Sequence, residues 1–347
     1  MSVTITDPQV APAPTLPFVK AIFGRMVNEE RDLVFVDLAL SQTLVLFPFA
    51  ALLFWKFHWA LGLVYVALIG LYWLGPYVLM LHNVSHRRLF KRKYELLNFY
   101  IPCVLAPFFG ESPMSYFAHH VGMHHPENNL REDLSSTMRF QRDSFIDFMR
   151  YFLRFFFGIL IELPAYFVRK NRKRLIGHAL GGEFSLWVIM AIGFYFNWQA
   201  TLVVFVAPYI VCRFGMMAGN WAQHAFVDAR APENCYRNSL TCVNSTYNRR
   251  CFNDGYHIGH HVKATRHWTE MPGDFLANQE HYAREEAIVI EGVDFFIVWL
   301  FLMLKRYDWL AKRMVDLGEP RTIAQRIALL RERTARIAEL ATEASLA

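Results

Sequence analysis

The chain has 347 residues, 54% hydrophobic, 16% aromatic and 19% charged, with a formal net charge of +6. This is too apolar for an ordinary soluble domain and too charged for a chain immersed in lipid throughout, so its mass should divide between membrane and water. The basic residues stand in short runs beside apolar segments, Arg87 to Lys93 and Arg169 to Arg174, a placement that fits lipid headgroups and argues against nucleic acid as a partner.

Residues 1–17 are rich in Pro, Ala and Thr, lack the basic-then-apolar order of a secretory signal, and read as a disordered lead-in. A membrane-crossing helix needs about 20 consecutive apolar residues to span roughly 30 Å of hydrocarbon. Four segments qualify. Residues 36–54 and 60–81 are joined by the aromatic turn Trp55 to Trp59, and residues 184–196 and 200–217 are joined at Asn197 and Trp198. They read as two helical hairpins. The stretch between the hairpins carries two groups of five Lys and Arg, over residues 87–93 and 169–174. The positive-inside rule therefore places that stretch and both termini in the cytoplasm, at the inner membrane in a bacterium.

Two further apolar stretches, 145–168 and 287–304, are interrupted by Asp147, Arg150 and Arg154 and by Glu291 and Asp294. Both are expected to be interfacial amphipathic helices. After Glu319, alternating Arg, Glu, Ala and Leu read as a helix with a solvated charged face. The expected organisation is thus an all-α, multi-pass integral membrane protein. Its catalytic body covers residues 18–285, and interfacial and soluble helices fill 286–347. Five cysteines, Cys103, Cys212, Cys235, Cys242 and Cys251, form no C-x-x-C pair and are expected to be reduced thiols.

Ten of the fourteen histidines fall into four compact clusters. His82 and His86 end the second apolar segment at i, i+4 spacing, which stacks both imidazoles on one helix face. In the run His119-His120-Val121-Gly122-Met123-His124-His125, the same spacing puts His120 and His124 on a shared face. Asn220 and His224 form an i, i+4 pair past the fourth apolar segment, and His257, His260 and His261 form the last cluster. Imidazole suits iron, zinc, copper and nickel. A single structural zinc is complete with four ligands. Nine candidates, His82, His86, His120, His124, His125, His224, His257, His260 and His261, point to two metals. One H-x-x-x-H alone is more often a surface pair than a metal site, but four clusters in one chain make that reading improbable. With four crossings, all four clusters reach the same side of the bilayer.

With these boxes in order, the sequence resembles the membrane fatty acid desaturases and their hydroxylase and decarboxylase relatives. That family carries H-x(3,4)-H, H-x(2,3)-HH and H-x(2,3)-HH boxes, often with a further Asn or His after the last membrane helix. Here they read His82 to His86, His120 to His125 and His257 to His261, with Asn220 and His224 as the additional pair. The resemblance spans about Val36 to Pro272. It implies four membrane helices beneath a cytoplasmic helical cap carrying a His-rich dimetal site, with the nine histidines on two non-haem irons and Asn220 contacting metal through water. Two departures stand out. His119 doubles the start of the second box and reads as a structural or supporting residue. Val262 to Trp268 replaces the short Phe-Pro turn common in acyl desaturases, which bears on the substrate more than on the metal, and His267 within it is an extra candidate.

An unactivated methylene C–H bond is beyond any side-chain base, so its oxidation needs O2 activated on a redox metal. Three products are compatible with the boxes: an alkene by desaturation, favoured by the family; a terminal 1-alkene by oxidative decarboxylation of a free fatty acid; or an alcohol by hydroxylation. The aromatic stretch Phe99 to Phe109 is expected to wall a tunnel for the chain. Glu127, Asn128, Asp133, Asp228 and Asp254 are candidates to orient the imidazoles. The chain carries no dinucleotide, iron–sulfur or haem motif, which implies an external reductant: a ferredoxin, rubredoxin or cytochrome with its reductase. A membrane zinc hydrolase using the same histidines is the rival class. A metal transporter would want ionisable residues deep within its spans, and these spans hold almost none.

Overall fold

The computed structural model describes residues 3–337. In chain order its main elements are α1 (Leu33–Trp55), α2 (Trp59–His86), α3 (Ser115–His119), α4 (Phe145–Arg169), α5 (Lys173–Phe196), α6 (Trp198–Gln223), β1 (Leu240–Val243), α7 (His257–Val262), β2 (Ile288–Glu291), α8 (Phe295–Met303) and α9 (Ile323–Arg333). Among the described residues, five helices are long and apolar enough to cross a membrane. Four of them, α1, α2, α5 and α6, contain the four expected spans. The fifth is α4, expected at the interface. The chain forms two compact units, one of residues 10–122 and 160–214, the other of residues 3–9, 123–159 and 215–337.

The first unit holds both hairpins. The tip of the first forms because Lys56 leaves the helix in an extended conformation and the His58 ring accepts the Ala60 N–H at 3.3 Å. Asn197 makes the second tip by accepting the Ala200 N–H at 3.0 Å. The Asn197 amide also donates to the Phe54 carbonyl at 3.3 Å. The Trp59 and Trp198 rings lie edge to face, 6.5 Å apart. Aromatic rings at both tips are what a membrane–water boundary selects.

The stretch expected to wall a tunnel makes close ring contacts. Tyr77 and Phe109 lie parallel at 3.9 Å, and Phe108 sits 4.6 Å from Phe47 and 5.5 Å from Phe205. Gly110 closes it at φ +79°, where a Cβ would overlap the Pro208 backbone. The unit also buries a charge pair. Arg213 on α6 meets Glu183 on α5, Tyr209 donates to the same carboxylate at 3.2 Å, and the Arg213 guanidinium donates to Ser112 at 3.2 Å. An intramembrane arginine persists only with such partners.

The second unit corrects three expectations. Residues 3–9 are held rather than loose. The buried Asp7 carboxylate accepts from the backbone N–H groups of Asn244 and Ser245 at 2.7 and 3.2 Å, from the Asn248 amide at 2.9 Å and from the Tyr256 hydroxyl at 2.7 Å. Residues 287–304 are not one helix. Ile288-Val289-Ile290 is a β-branched run and forms β2, which pairs in parallel with β1, Leu240 opposite Ile288. Gly292 at φ +74° then turns the chain, and the Asp294 carboxylate caps α8 by accepting the Ile297 N–H at 2.8 Å. Glu291 and Asp294, which interrupt the expected interfacial helix, are therefore a strand end and a cap.

The third correction concerns the last helix. It begins with a capping box between Thr322 and Gln325, but Leu330 and Arg333 on it are buried. Residues 338–347 lie outside the described residues. The Arg333 guanidinium lies 3.4 Å from Asp228, whose carboxylate also accepts from Arg230 at 2.7 Å and Arg237 at 3.1 Å. These donors hold the Asp228 carboxyl well below the usual carboxylate range. Removing one partner of a buried pair strands the other. Asp228→Asn is expected to lower stability by about 3 kcal/mol, seen as a drop in the unfolding temperature of the detergent-solubilised protein, whereas Arg306→Gln on the exposed Arg306–Asp308 pair should leave it unchanged.

Candidate metal centre

Each histidine box is delivered by an element whose local sequence explains it. At the end of α2, His82 and His86 share a face as the spacing predicts, ring centroids 5.1 Å apart. In the same unit the His120 ring lies 4.7 Å from His82 and 5.1 Å from His86, and the Nε2 atoms of His86 and His120 are 3.1 Å apart. Tyr116, one turn earlier on α3, stacks on His120 at 5.0 Å.

The second unit gathers four histidines. The ligating nitrogens of His124, His224, His257 and His261 all lie within 4.8 Å of one another. His257 Nε2 is 3.0 Å from His261 Nε2 and 3.3 Å from His224 Nε2. His125 and His260 form a further pair, Nε2 to Nε2 at 2.9 Å. Helix α7 presents its three histidines from a firm seat. Ile258 on it is fully buried among Val243, Met271, Phe275 and Tyr282. The turn before α7 needs Gly255, where a Cβ would strike the Cys242 carbonyl and the Asn248 amide.

The box from residue 119 to 125 departs from its expected geometry. Residues His120–His124 form a π-turn rather than an α-turn, a wider coil often found at functional sites. His120 and His124 therefore do not act as one i, i+4 pair: His120 meets His82 and His86, while His124 meets His224 and His261. His125, expected beside them, pairs with His260.

The chemistry of the donors supports a metal at the four-histidine group. In His124 the Nδ1–H donates to Asp133 at 2.7 Å. In His224 it donates to the Asn238 carbonyl at 3.0 Å and to Asn238 Oδ1 at 2.9 Å. Both tautomers are thereby set with the proton on Nδ1 and the lone pair on Nε2. Neutral imidazoles at such distances either share a proton in an N–H···N hydrogen bond or face a cation between them. At a metal–nitrogen distance of about 2.0–2.1 Å, neighbouring ligands stand roughly 3.0–3.4 Å apart, which is the observed spacing. Burial and the adjoining imidazoles keep the site neutral, pushing His224 down to about 4 and His261 well below its ordinary value.

Other predicted residues fall elsewhere. The Asn220 amide donates to the Ser135 carbonyl at 3.0 Å and the Tyr151 hydroxyl at 2.7 Å. His267 is tied to Thr269, Nδ1 to Oγ1 at 2.8 Å, and His119 ends α3 outside the groups just described. Of the candidate orienting residues, Asp133 grips an imidazole directly. Asp228 belongs to the arginine cluster, and Asp254 accepts from Tyr247 at 2.7 Å. Asn238 was not foreseen: it lies 14 residues beyond His224 in an undistinguished polar run, and no spacing rule marks it.

Residues 57–291 match the family described as Fatty acid desaturase, a range that contains all nine histidines. No curated protein and no solved structure matches the chain.

Two outcomes are expected from this geometry. Replacing Asp133 with Asn removes the anion behind His124 and should weaken metal binding by about 10- to 100-fold, read by chelator competition on the purified protein. The buried histidines whose folded values lie below 6.5 bind fewer protons than in the unfolded chain. Metal-free protein should therefore lose stability as the pH falls from about 6.5 toward 4, with the unfolding temperature dropping over that window.

Proposed function

This chain belongs to the fatty acid desaturase family, whose members are oxidoreductases, and from that premise we propose that it is a membrane enzyme holding two non-haem irons. In this reading it uses O2 to oxidise an unactivated C–H bond of a fatty acid or fatty acyl chain, with desaturation as the first-ranked outcome. The observation that carries the proposal is the convergence of imidazole Nε2 atoms at metal-ligand spacing, with Nδ1 anchors behind His124 and His224.

His124, His224, His257 and His261 are the proposed ligands of one iron. His82, His86, His120, His125 and His260 complete the proposed set of nine histidines on the two irons. Asn220 is a proposed contact through water, its amide oriented by Ser135 and Tyr151. The bound irons would supply the activation of O2 that no side chain can provide. The residues themselves hold the imidazoles neutral, fix their tautomers and keep them rigid in a buried setting, which is the protein's share of positional catalysis.

The proposed topology has four crossings, with the boxes and both termini in the cytoplasm. If α4 also crossed, the basic runs at 87–93 and 169–174 would face opposite sides, against the positive-inside rule. We therefore place α4 at the interface or within the protein body, its Asp147 paired with Arg150 at 3.0 Å and Arg336 at 2.8 Å. Electrons would come from an external donor, a ferredoxin, rubredoxin or cytochrome with its reductase, drawn to the basic face if acidic.

The test feeds a deuterium-labelled saturated fatty acid to cells expressing the protein or its His124→Ala variant and follows lipids and headspace by mass spectrometry. A labelled mid-chain alkene absent from the variant establishes desaturation, a labelled alcohol hydroxylation, and a labelled terminal alkene one carbon shorter decarboxylation. Metal analysis of the purified protein should give two irons per chain. Zinc in their place, with no labelled product, would sink the oxidase reading in favour of a hydrolase.

A further inference from the structure

Behind the four-histidine group lies a buried polar chain. The His124 Nδ1–H donates to Asp133 Oδ2, and the same oxygen accepts the Asn129 backbone N–H at 2.8 Å. The Asn129 side-chain amide donates to Asn238 Oδ1 at 3.0 Å, and that oxygen accepts the His224 Nδ1–H at 2.9 Å. One residue, Asn129, thus donates from both backbone and side chain to the two acceptors that grip two different histidines. Asn129, Asp133, His224 and Asn238 are all fully buried.

The direction of each amide is fixed by a backbone partner. Asn129 Oδ1 accepts the Thr137 N–H at 2.8 Å, so its NH2 must face Asn238. Asn238 Nδ2 donates to the Asn128 carbonyl at 2.7 Å, so its oxygen must face His224. Asn129 holds φ +61°, a left-handed conformation that Asn tolerates better than most residues. Thr137 closes the ring by donating to the His224 backbone carbonyl at 2.7 Å. A network whose members are all satisfied rigidifies what it touches.

We propose that Asn129 and Asn238 are positioning residues of the metal centre: a two-amide bridge that sets the His224 tautomer and locks its orientation to that of His124. The two imidazoles then receive unequal support, a carboxylate behind His124 and a neutral amide behind His224. A carboxylate partner raises ligand basicity more than an amide does, so the bridge also makes the two ligands chemically distinct. This inference rests on the metal reading above.

The experiment uses full-length protein in detergent, loaded with Co(II) as a spectroscopic probe, and compares the native chain with Asn129→Ala, Asn238→Asp and the control Asn278→Ala, whose amide bonds only within its own turn to Asp274. Release of Co(II) to a chelator, the ligand-field bands, and unfolding temperatures with and without metal are measured. Asn129→Ala is expected to release metal about 10- to 100-fold faster with shifted bands, while the control behaves as native. Asn238→Asp keeps an acceptor oxygen toward His224 but charges the group behind that ring and removes the donor to the Asn128 carbonyl, so its bands should shift too. Should Asn129→Ala fail to accumulate, Asn238→Asp decides alone, and unshifted bands there overturn the inference. Equal loss of unfolding temperature with and without metal, at native release rate and bands, would make the bridge mere scaffold and overturn the inference while leaving the proposed function standing. A native chain that binds neither iron nor cobalt overturns both.

Discussion

The constraint on which the four-histidine group depends is that buried imidazoles stand face to face, with Nε2 separations of 3.0 and 3.3 Å. Neutral rings so placed can trade protons or rotate, since each prefers a donor opposite it. An anchor on the far nitrogen limits this for two of the rings. Asp133 supplies it for His124 and Asn238 for His224, and the tight seating of α7 on Ile258 aims its histidines. The local features of the unit can be read as support for these anchors. Asp7 draws the N-terminal residues onto the Tyr256 hydroxyl next to His257, and Gly255 lets the turn into α7 pass the Cys242 carbonyl.

The hairpin unit solves a different problem, holding polar groups among apolar helices. Its tips are closed by single polar residues, His58 and Asn197, that replace missing helical donors and acceptors. Its buried ion pair, Arg213 with Glu183, is joined by Tyr209 and Ser112. Such a cluster costs more to bury than apolar side chains would, and its gain is one defined register between α5 and α6.

Much of this was legible before any coordinates. Hairpins announce themselves because a span needs uninterrupted apolar length, and residues 36–54, 60–81, 184–196 and 200–217 have it. Histidine boxes are visible because ligand chemistry is confined to few residue types. The division of histidines was not legible, because it turns on a π-turn at His120–His124 and no local signal separates that from an ordinary helix. Asn129 and Asn238 were invisible for another reason: they meet across 109 residues of chain, and Asn in a polar loop looks like any turn residue. Residues 287–304 have the apolar length of an interfacial helix, but their β-branched run makes a strand, and Glu291 ends that strand while Asp294 caps the helix that follows.

Charge accounting ties the polar bridge to the metal. Asp133 is fully buried, and its carboxylate accepts from the His124 ring, the Asn129 N–H, and the Ser135 N–H and hydroxyl at 2.8 and 2.7 Å. A divalent cation on the other side of His124 would face this anion through the ring, much as in a carboxylate–histidine–metal triad. A second carboxylate at Asn238 would double the buried anion before any metal arrived and burden folding of the empty chain. An amide there keeps the His224 tautomer without that cost. In the proposed metal centre, the asymmetry between Asp133 and Asn238 would let the pocket fold with its histidines neutral and still favour a cation once one enters.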